Sequence, residues 1–345
     1  MALLFVDGFD HYTTFAQLLL KWNGTNSGTW TVPTSAGRRG TGCASVTTAN
    51  SFIIKVLPSA YSTLIAGFAY QPGTAVAALR DFIGFCDTGF TNATVQITIA
   101  VDTNMAVRAY RGTSGSGTLL GTSANNAIAA GVFQYIEAKV FVHASAGTVQ
   151  VKVNGVTVLN LSGINTKNTA NTTMSQFGLN TPTNVGNLFD DVYLCDASGT
   201  DNNDFLGDSR VDTLMPNGDG FYLNWTPTGG GAHWTQVNAI PPQIATNVSD
   251  GSVGDKDTYN FADLTAITGT IFGVAQTLYA QKSDAGTRSV QPLCRSGGVD
   301  SAGSAIALGT GANFTPQRIL ERDPNTGAIW TEAGVNAAQF GQQVA

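Results

Sequence analysis

Along most of the chain, apolar and polar side chains alternate with a period of two, the spacing of a β-strand with one buried face. The clearest case is Val149-Gln150-Val151-Lys152-Val153, followed by Asn154-Gly155 and then by Val156-Thr157-Val158-Leu159-Asn160-Leu161. An Asn-Gly pair between two alternating runs predicts a two-residue hairpin, because both turn positions need positive φ. Tyr135 to Val142 alternates as well, with Ile136, Ala138, Val140 and Val142 on one side and Glu137, Lys139 and Phe141 on the other. Val95 to Val101 and Met105 to Tyr110 predict two more strands joined by Asp102-Thr103-Asn104. Ser51 to Val56 and Thr63 to Tyr70 predict another pair. Strands at this spacing, separated by Gly, Asn and Ser turns, predict an all-β antiparallel sandwich.

Helical signal is sparse. Thr13 to Trp22 predicts one short helix or turn capped by a Thr, and Thr331 is placed to cap a helix from Glu332 to Phe340 with Gly341 as its stop. After Cys195 the composition shifts. The polar run Asp196 to Asp204 marks a boundary, dividing the chain into a sandwich over 1–195 and a second β-rich region over 196–345. Predicted strands in that second region are Gly220 to Trp225, Thr270 to Ala280 and Thr287 to Leu293.

Charge changes the picture. Only 12% of the 345 residues are charged, about half the usual share, and the net charge is −6. A surface covered by Thr, Asn, Ser, Gly and Ala suits sheet and turn, and it suits a subunit buried against neighbours, since interface cores are poor in charge. Binding to nucleic acid needs clustered Lys and Arg, and the sharpest basic feature is the pair Arg38-Arg39, read as a solvated loop. The opening Met1-Ala2-Leu3-Leu4-Phe5-Val6-Asp7 lacks the form of a signal peptide, and no apolar run reaches the ~20 residues of a membrane helix, so the expectation is a protein made in a cytoplasm. Cys43, Cys86, Cys195 and Cys294 form no C-x-x-C pair and read as buried thiols rather than disulfides or zinc ligands.

Phe5-Val6-Asp7-Gly8-Phe9-Asp10, Leu119-Leu120-Gly121-Thr122-Ser123, Tyr135 to Val140, Gly147 to Gly155 and Phe189-Asp190-Asp191-Val192-Tyr193-Leu194 occur in that order. Together they resemble the concanavalin A-like (laminin G-like) lectin/glucanase jelly roll found in tailed-bacteriophage structural proteins. The resemblance spans roughly residues 1–195. Asn203 to Asp208, Gly254 to Tyr259 and Asp323 to Thr331 are similar to segments of phage tail or virion proteins. The resemblance implies a virion subunit (tail, tail tip, fibre or capsid surface) that assembles as a homo-oligomer with other virion proteins. The alternative it implies is a lectin-like adhesin that binds host-surface carbohydrate.

Glucanases on this fold set two acids on one strand to flank a glycosidic bond. No E-x-D-x-x-E pattern occurs here. Glu137 stands alone, with Lys139 as its same-face neighbour and expected partner, and the adjacent Asp190 and Asp191 are expected on opposite faces of their strand. No G-x-S-x-G nucleophile is present, and Gly112 to Gly117 reads as a hairpin tip rather than a phosphate loop. The expectation is a chain that is not an enzyme. Asp196, Asp201, Asp204 and Asp208, and likewise Asp250, Asp255 and Asp257, offer loop carboxylates of the kind calcium takes. Turn formation explains them more simply, and no cofactor or metal is assigned. Sugar binding would use an exposed aromatic beside polar groups. Among Trp22, Trp30, Trp225, Trp234 and Trp330, the best placed is Trp234 with His233, beside Gly229-Gly230-Gly231.

Overall fold

The computed structural model describes residues 2–25, 30–183, 186–265 and 267–345. The protein is all-β, 43% strand and 4% helix, and it divides into two compact units, Met1–Val211 and Asp212–Ala345.

The first unit is a β-sandwich of two antiparallel sheets. The eight-stranded sheet runs in the order Val156–Ile164, Gly147–Val153, Gln134–Phe141, Thr63–Gln71, Asn187–Cys195, Ala44–Val46 and Trp30–Thr31, and Leu3–Asp7 also pairs with Asn187–Cys195. The seven-stranded sheet runs Thr118–Thr122, Val107–Arg111, Val95–Val101, Arg80–Cys86, Met174–Asn180, Phe52–Tyr61 and Gly24–Thr25. Between them lies an aromatic core, in which Phe82 of the second sheet meets Phe68, Tyr70 and Phe189 of the first at 4.6–6.4 Å between ring centres. The predicted hairpin forms as read: Asn154 and Gly155 take φ of 49° and 78°, and Val153 pairs with Val156. All four cysteines are buried thiols, and none is in a disulfide. The helix expected over 13–22 shrinks to one turn, Phe15–Leu18, closed by a capping box between Thr14 and Gln17. The unit also runs past Cys195. The segment 196–211 folds back on the sheet, where Glu137 accepts from the Gly207 N–H at 2.8 Å and Asp191 accepts from the Val211 N–H at 2.8 Å.

A buried charge sits at the end of the first strand. Asp7 is fully buried, yet it accepts hydrogen bonds from the Phe9 N–H (3.1 Å), the Tyr12 hydroxyl (3.0 Å) and the Trp22 indole N–H (2.8 Å), and it pairs with Lys21 Nζ at 3.2 Å. Burial works to raise its pKa, but Lys21, His11 and these donors outweigh it and hold the carboxyl below its usual value.

In the second unit the main sheet has the order Pro216–Leu223, Lys256–Phe261, Gln339–Val344, Ser289–Ser296 and Val299–Ala302. Its core gathers Cys294, Trp330, Val335, Ala338 and Phe340, with Phe261 edge-on to Phe340 at 5.6 Å. Thr331 caps a helix as predicted, but the helix spans only Glu332–Ala337. The chain then enters the sheet, and Gly341 allows close passage over the Asp257 carbonyl instead of stopping a helix. The single strand expected over 270–280 is two short ones, Val274–Gln276 and Tyr279–Ala280, because each pairs with a different partner, Arg318–Leu320 and Asn313–Phe314.

Removing one member of a buried ion pair costs roughly 3–5 kcal/mol. Asp7→Asn is therefore expected to lower the melting temperature of the first unit by roughly 6–20 °C, at about 2–4 °C per kcal/mol for a unit of this size. Asp7→Leu combined with Lys21→Met should recover only part of the loss, because no unpaired charge is then buried but the Phe9, Tyr12 and Trp22 donors lose their acceptor. Calorimetry of the variants checks this, and an Asp7→Asn protein that melts with the wild type would contradict it. Because the folded pKa of Asp7 is depressed, its contribution is present above the unfolded value of 3.8 and is lost as pH falls through the folded one.

Candidate functional site

On the seven-stranded sheet the cross-strand partners Ile54, Gly178, Gly84, Thr98, Tyr110 and Leu119 form one row across six strands. Paired residues project to the same side, so these six share a face. It is the face away from the core, since the alternate positions Ile83, Phe85, Ile97, Ile99, Phe177 and Leu179 are fully buried apolar side chains, whereas Ile54 and Leu119 of the row are partly exposed. The two adjacent glycines leave a bare floor in the middle of the row.

The loop between Arg80–Cys86 and Val95–Val101 lays Phe90 on that floor. A methyl group at Gly84 would lie 2.1 Å from Phe90 Cε2, and one at Gly178 would lie 2.6 Å from its Cδ2. Phe90 is stacked on Phe52 of the neighbouring strand, ring centres 5.2 Å apart and planes 15° from parallel, and both rings are half-buried. Beside them Thr98 is fully buried, and its hydroxyl has no hydrogen-bond partner. Farther along the face, Arg108 binds Asp102 through Nε at 2.7 Å, and Tyr110 lies on the same side of that strand. Half-buried Gln176 lies at the opposite end. The arrangement is an aromatic platform on a flat floor with a polar rim, a form that packs an apolar ligand face and offers hydrogen bonds at its edge. Sequence reading missed Phe90 and Phe52. The one available signal was a pair of glycines inside strands, which marks close approach of another group.

A second cluster joins acids from separate elements. Asp190 accepts from the Arg38 N–H at 2.8 Å, and Asp191 lies 3.0 Å from Arg39 Nη1 and 3.5 Å from Arg38 Nη1. The expectation that Asp190 and Asp191 face opposite ways is corrected. Asp191 adopts φ of 50° within a register break, which brings both carboxylates to the same Arg38-Arg39 loop. That loop is thus an anchor for buried acids and not simply solvated. Burial, then the neighbouring Asp191, pushes the Asp190 carboxyl up to about 7. Burial likewise lifts Asp10 to about 6, although it accepts from the Gly42 N–H at 2.8 Å. Glu137 does not pair with Lys139. It is buried and accepts from the Tyr193 hydroxyl at 2.5 Å, while Lys139 reaches Asp204 at 3.0 Å.

In the second unit His233 and Trp234 lie on the turn His233–Gln236. His233 Nδ1 is 2.8 Å from Oδ2 of buried Asp257, which also accepts from the Tyr259 hydroxyl at 3.0 Å and the Trp225 N–H at 3.2 Å. The Trp234 N–H donates to Asp219 at 2.8 Å, and its side chain is half-exposed. Trp22, Trp30 and Trp330 are core residues. The loop carboxylates considered for calcium are spent locally: Asp196 on Ser198, Asp208 on Arg38, Asp250 on Ser252. Among the described residues no three His, Cys, Asp or Glu side chains converge as metal ligands.

No protein-family model matches the chain, and no curated protein matches it. Solved structures do match. The carbohydrate binding module CBM66 from Bacillus subtilis is 13% identical, over 51% of this chain and 96% of its own, with a TM-score of 0.36. Alginate lyase Aly36B is 11% identical, over 55% and 95%, with a TM-score of 0.38. A carbohydrate esterase of the Shiga toxin-encoding bacteriophage phi24B is 12% identical, over 55% and 99%, with a TM-score of 0.36. The expectation of a chain that is not an enzyme is corrected by these matches, because a lyase and an esterase are among them. The physical reason is plain. A missing same-strand acid pair bears on glycoside hydrolysis alone and says nothing of elimination or ester cleavage.

An acid whose folded pKa is raised adds stability that is fully present below its unfolded value and is lost as pH rises through the folded one. For Asp190 that window runs from 3.8 to about 7. Asp190→Asn is therefore expected to compare more favourably with the wild type at pH 8 than at pH 5. Thermal melts at the two pH values test this, and an equal difference at both would exclude a protonated Asp190.

Proposed function

We propose that this protein binds carbohydrate, on the outer face of the seven-stranded sheet, with Phe90 and Phe52 as the stacking platform. One observation carries the reading: a loop aromatic laid on two facing glycines beside a buried hydroxyl that lacks a partner. The flat face of a pyranose suits the Phe90 ring, and Gln176, Arg108 and Tyr110 on the same face offer polar groups for ring hydroxyls.

A second reading, assembly into a phage virion, is favoured by a separate observation. The second unit leaves Leu223, Ile240, Ile244, Val253 and Val299 exposed at 44–79%. Its charge is also low for such a surface. Apolar surface of this kind is commonly covered by neighbouring subunits, and the sequence resemblance to virion proteins points the same way. The two readings are compatible, with the sandwich meeting host glycan and the second unit held in the particle.

The first reading is tested by screening the full chain against defined neutral and acidic oligosaccharides and titrating the best ligand calorimetrically. Phe90→Ala is expected to weaken that binding by about tenfold or more, as loss of a central aromatic contact does. The melting temperature should change little, since the ring lies outside the core. A variant that binds as tightly as the wild type would place the glycan elsewhere. Sedimentation of the purified chain tests the second reading, which expects a concentration-dependent oligomer, and a strict monomer at all concentrations would count against it.

A further inference from the structure

The second unit has an aromatic feature that the sandwich reading does not use. Opposite the sheet face that covers Trp330 and Phe340, the strand Pro216–Leu223 breaks register with Lys256–Phe261: Asp219 pairs with Tyr259, and Leu223 pairs with Asp257. Three residues, Gly220, Phe221 and Tyr222, therefore arch over the single position of Thr258. A bulge of this kind re-aims side chains. Glycine is required at its start, because a Cβ on Gly220 would lie 2.5 Å from the Thr258 carbonyl oxygen. The arch is pinned from below by side chains, with the Phe221 N–H donating to Gln339 Oε1 at 2.8 Å and the Tyr222 N–H to Thr258 Oγ1 at 3.1 Å.

The arch throws two rings across the sheet. The Arg295 guanidinium, from the strand Ser289–Ser296, lies 4.1 Å from the Phe221 ring centre and 5.3 Å from that of Tyr222. Lys256 Nζ is 4.8 Å from the Tyr222 ring centre. Asp300 ties the group together, accepting from the Tyr222 hydroxyl (2.8 Å), Lys256 (2.8 Å) and Arg295 (2.6 Å). Burial works against its ionisation, yet these three donors hold its carboxyl at about 2, so it is charged under all ordinary conditions. Two cations against one carboxylate leave one positive charge. The surroundings are the reverse, since the second unit has six Lys and Arg against eleven Asp and Glu over 212–345.

Phe221 itself is 65% exposed, which is unusual for a ring fixed so firmly. Its backbone is held by Gln339, one face by Arg295, and the Tyr222 ring meets it edge-to-face at 4.9 Å, so the rest of the ring, which meets water, is preorganised for a partner. The surplus positive charge beside it selects that partner's sign, and Asn260, exposed and bonded to Gln339 at 3.1 Å, adds a neutral polar edge. We propose that Phe221, Tyr222, Arg295 and Lys256 form a second ligand site, independent of the sandwich face, that takes an acidic sugar. The flat face of the sugar rests on the face of Phe221 that Arg295 leaves free, and its carboxylate projects past the ring edge toward the positive charge of Arg295 and Lys256. Asp300 is a positioning residue that keeps both cations on the rings.

The test uses the full chain and tetrasaccharides of galacturonate, glucuronate and mannuronate, each beside its methyl ester. At least one free acid is expected to bind, to bind about tenfold more weakly as its ester, and to weaken with added salt. Phe221→Ala should lose this binding by about tenfold or more, and Phe221→Trp should keep it, which separates loss of the platform from loss of the fold. Phe90→Ala should leave it unchanged, which separates this site from the sandwich site. Three results would overturn the proposal: no binding of any of the three acids, equal binding of acid and ester, or binding that survives Phe221→Ala. If Phe221→Ala instead converts an oligomer to a monomer and no uronate binds, the patch is a contact between copies of this chain.

Discussion

Asp7 is a full charge with no access to water, and the sandwich is arranged around keeping it paired. An isolated carboxylate in that position would be neutral or would prevent folding. Here it is answered by four groups that arrive from the turn immediately after the strand: the Phe9 amide, the Tyr12 hydroxyl, Lys21 and the Trp22 indole. Satisfying them fixes the path of the chain from residue 7 to residue 22 and packs Trp22 against Phe5 and Phe9, at 5.2 and 6.0 Å between ring centres. The strand that ends in Asp7 pairs in turn with Asn187–Cys195, so the same network ties the start of the unit to its late strand. Lys55 also points into this region, with Nζ 4.6 Å from the Phe5 ring centre and bonded to the Lys21 carbonyl at 2.7 Å. Burial and the charge on Lys21 together lower its pKa to about 8.

With that closure fixed, the two sheets differ in how their outer faces are used. The face of Gln134–Phe141 that bears Glu137 is roofed by the segment around Gly207, so an acid that reads as solvent-facing is buried and fully engaged. The seven-stranded sheet is covered at its centre by one ring, Phe90, on a floor that two glycines keep bare. The second unit solves a different problem. Its core is small, centred on Trp330 and Phe340, and much of its apolar surface remains outside. Within that unit the order is local, made by capped turns, short two-stranded pairs and the bulge at Gly220 to Tyr222.

Much of the strand content was legible because a half-buried strand must alternate. The hairpin at Asn154-Gly155 was legible because few other residue pairs accept positive φ twice in succession. Elements failed where pairing rather than pattern decides. Ile271 to Ala280 is apolar enough for one long strand, yet its halves meet different partners. Gln339 to Val344 carries no charge and could extend a helix, yet it is central in a sheet. Glu137 and Lys139 sit two apart and read as a pair, but each is drawn to a group far along the chain, Tyr193 and Asp204.

The sequence by itself determined the all-β class, the antiparallel sandwich, its principal hairpin and the low charge of the surface, since these follow from side-chain period, turn chemistry and composition, which are local properties. Tertiary structure alone decided which groups meet. The row from Ile54 to Leu119 is assembled from six strands whose register no single segment encodes. The Phe90 platform depends on glycines ninety-four positions apart (178 − 84) lying side by side. Asp190 and Asp191 reach one loop only because a positive φ breaks their alternation. Function on this fold rests on such long-range coincidences, and alternation along one strand cannot report what a neighbouring strand places beside it.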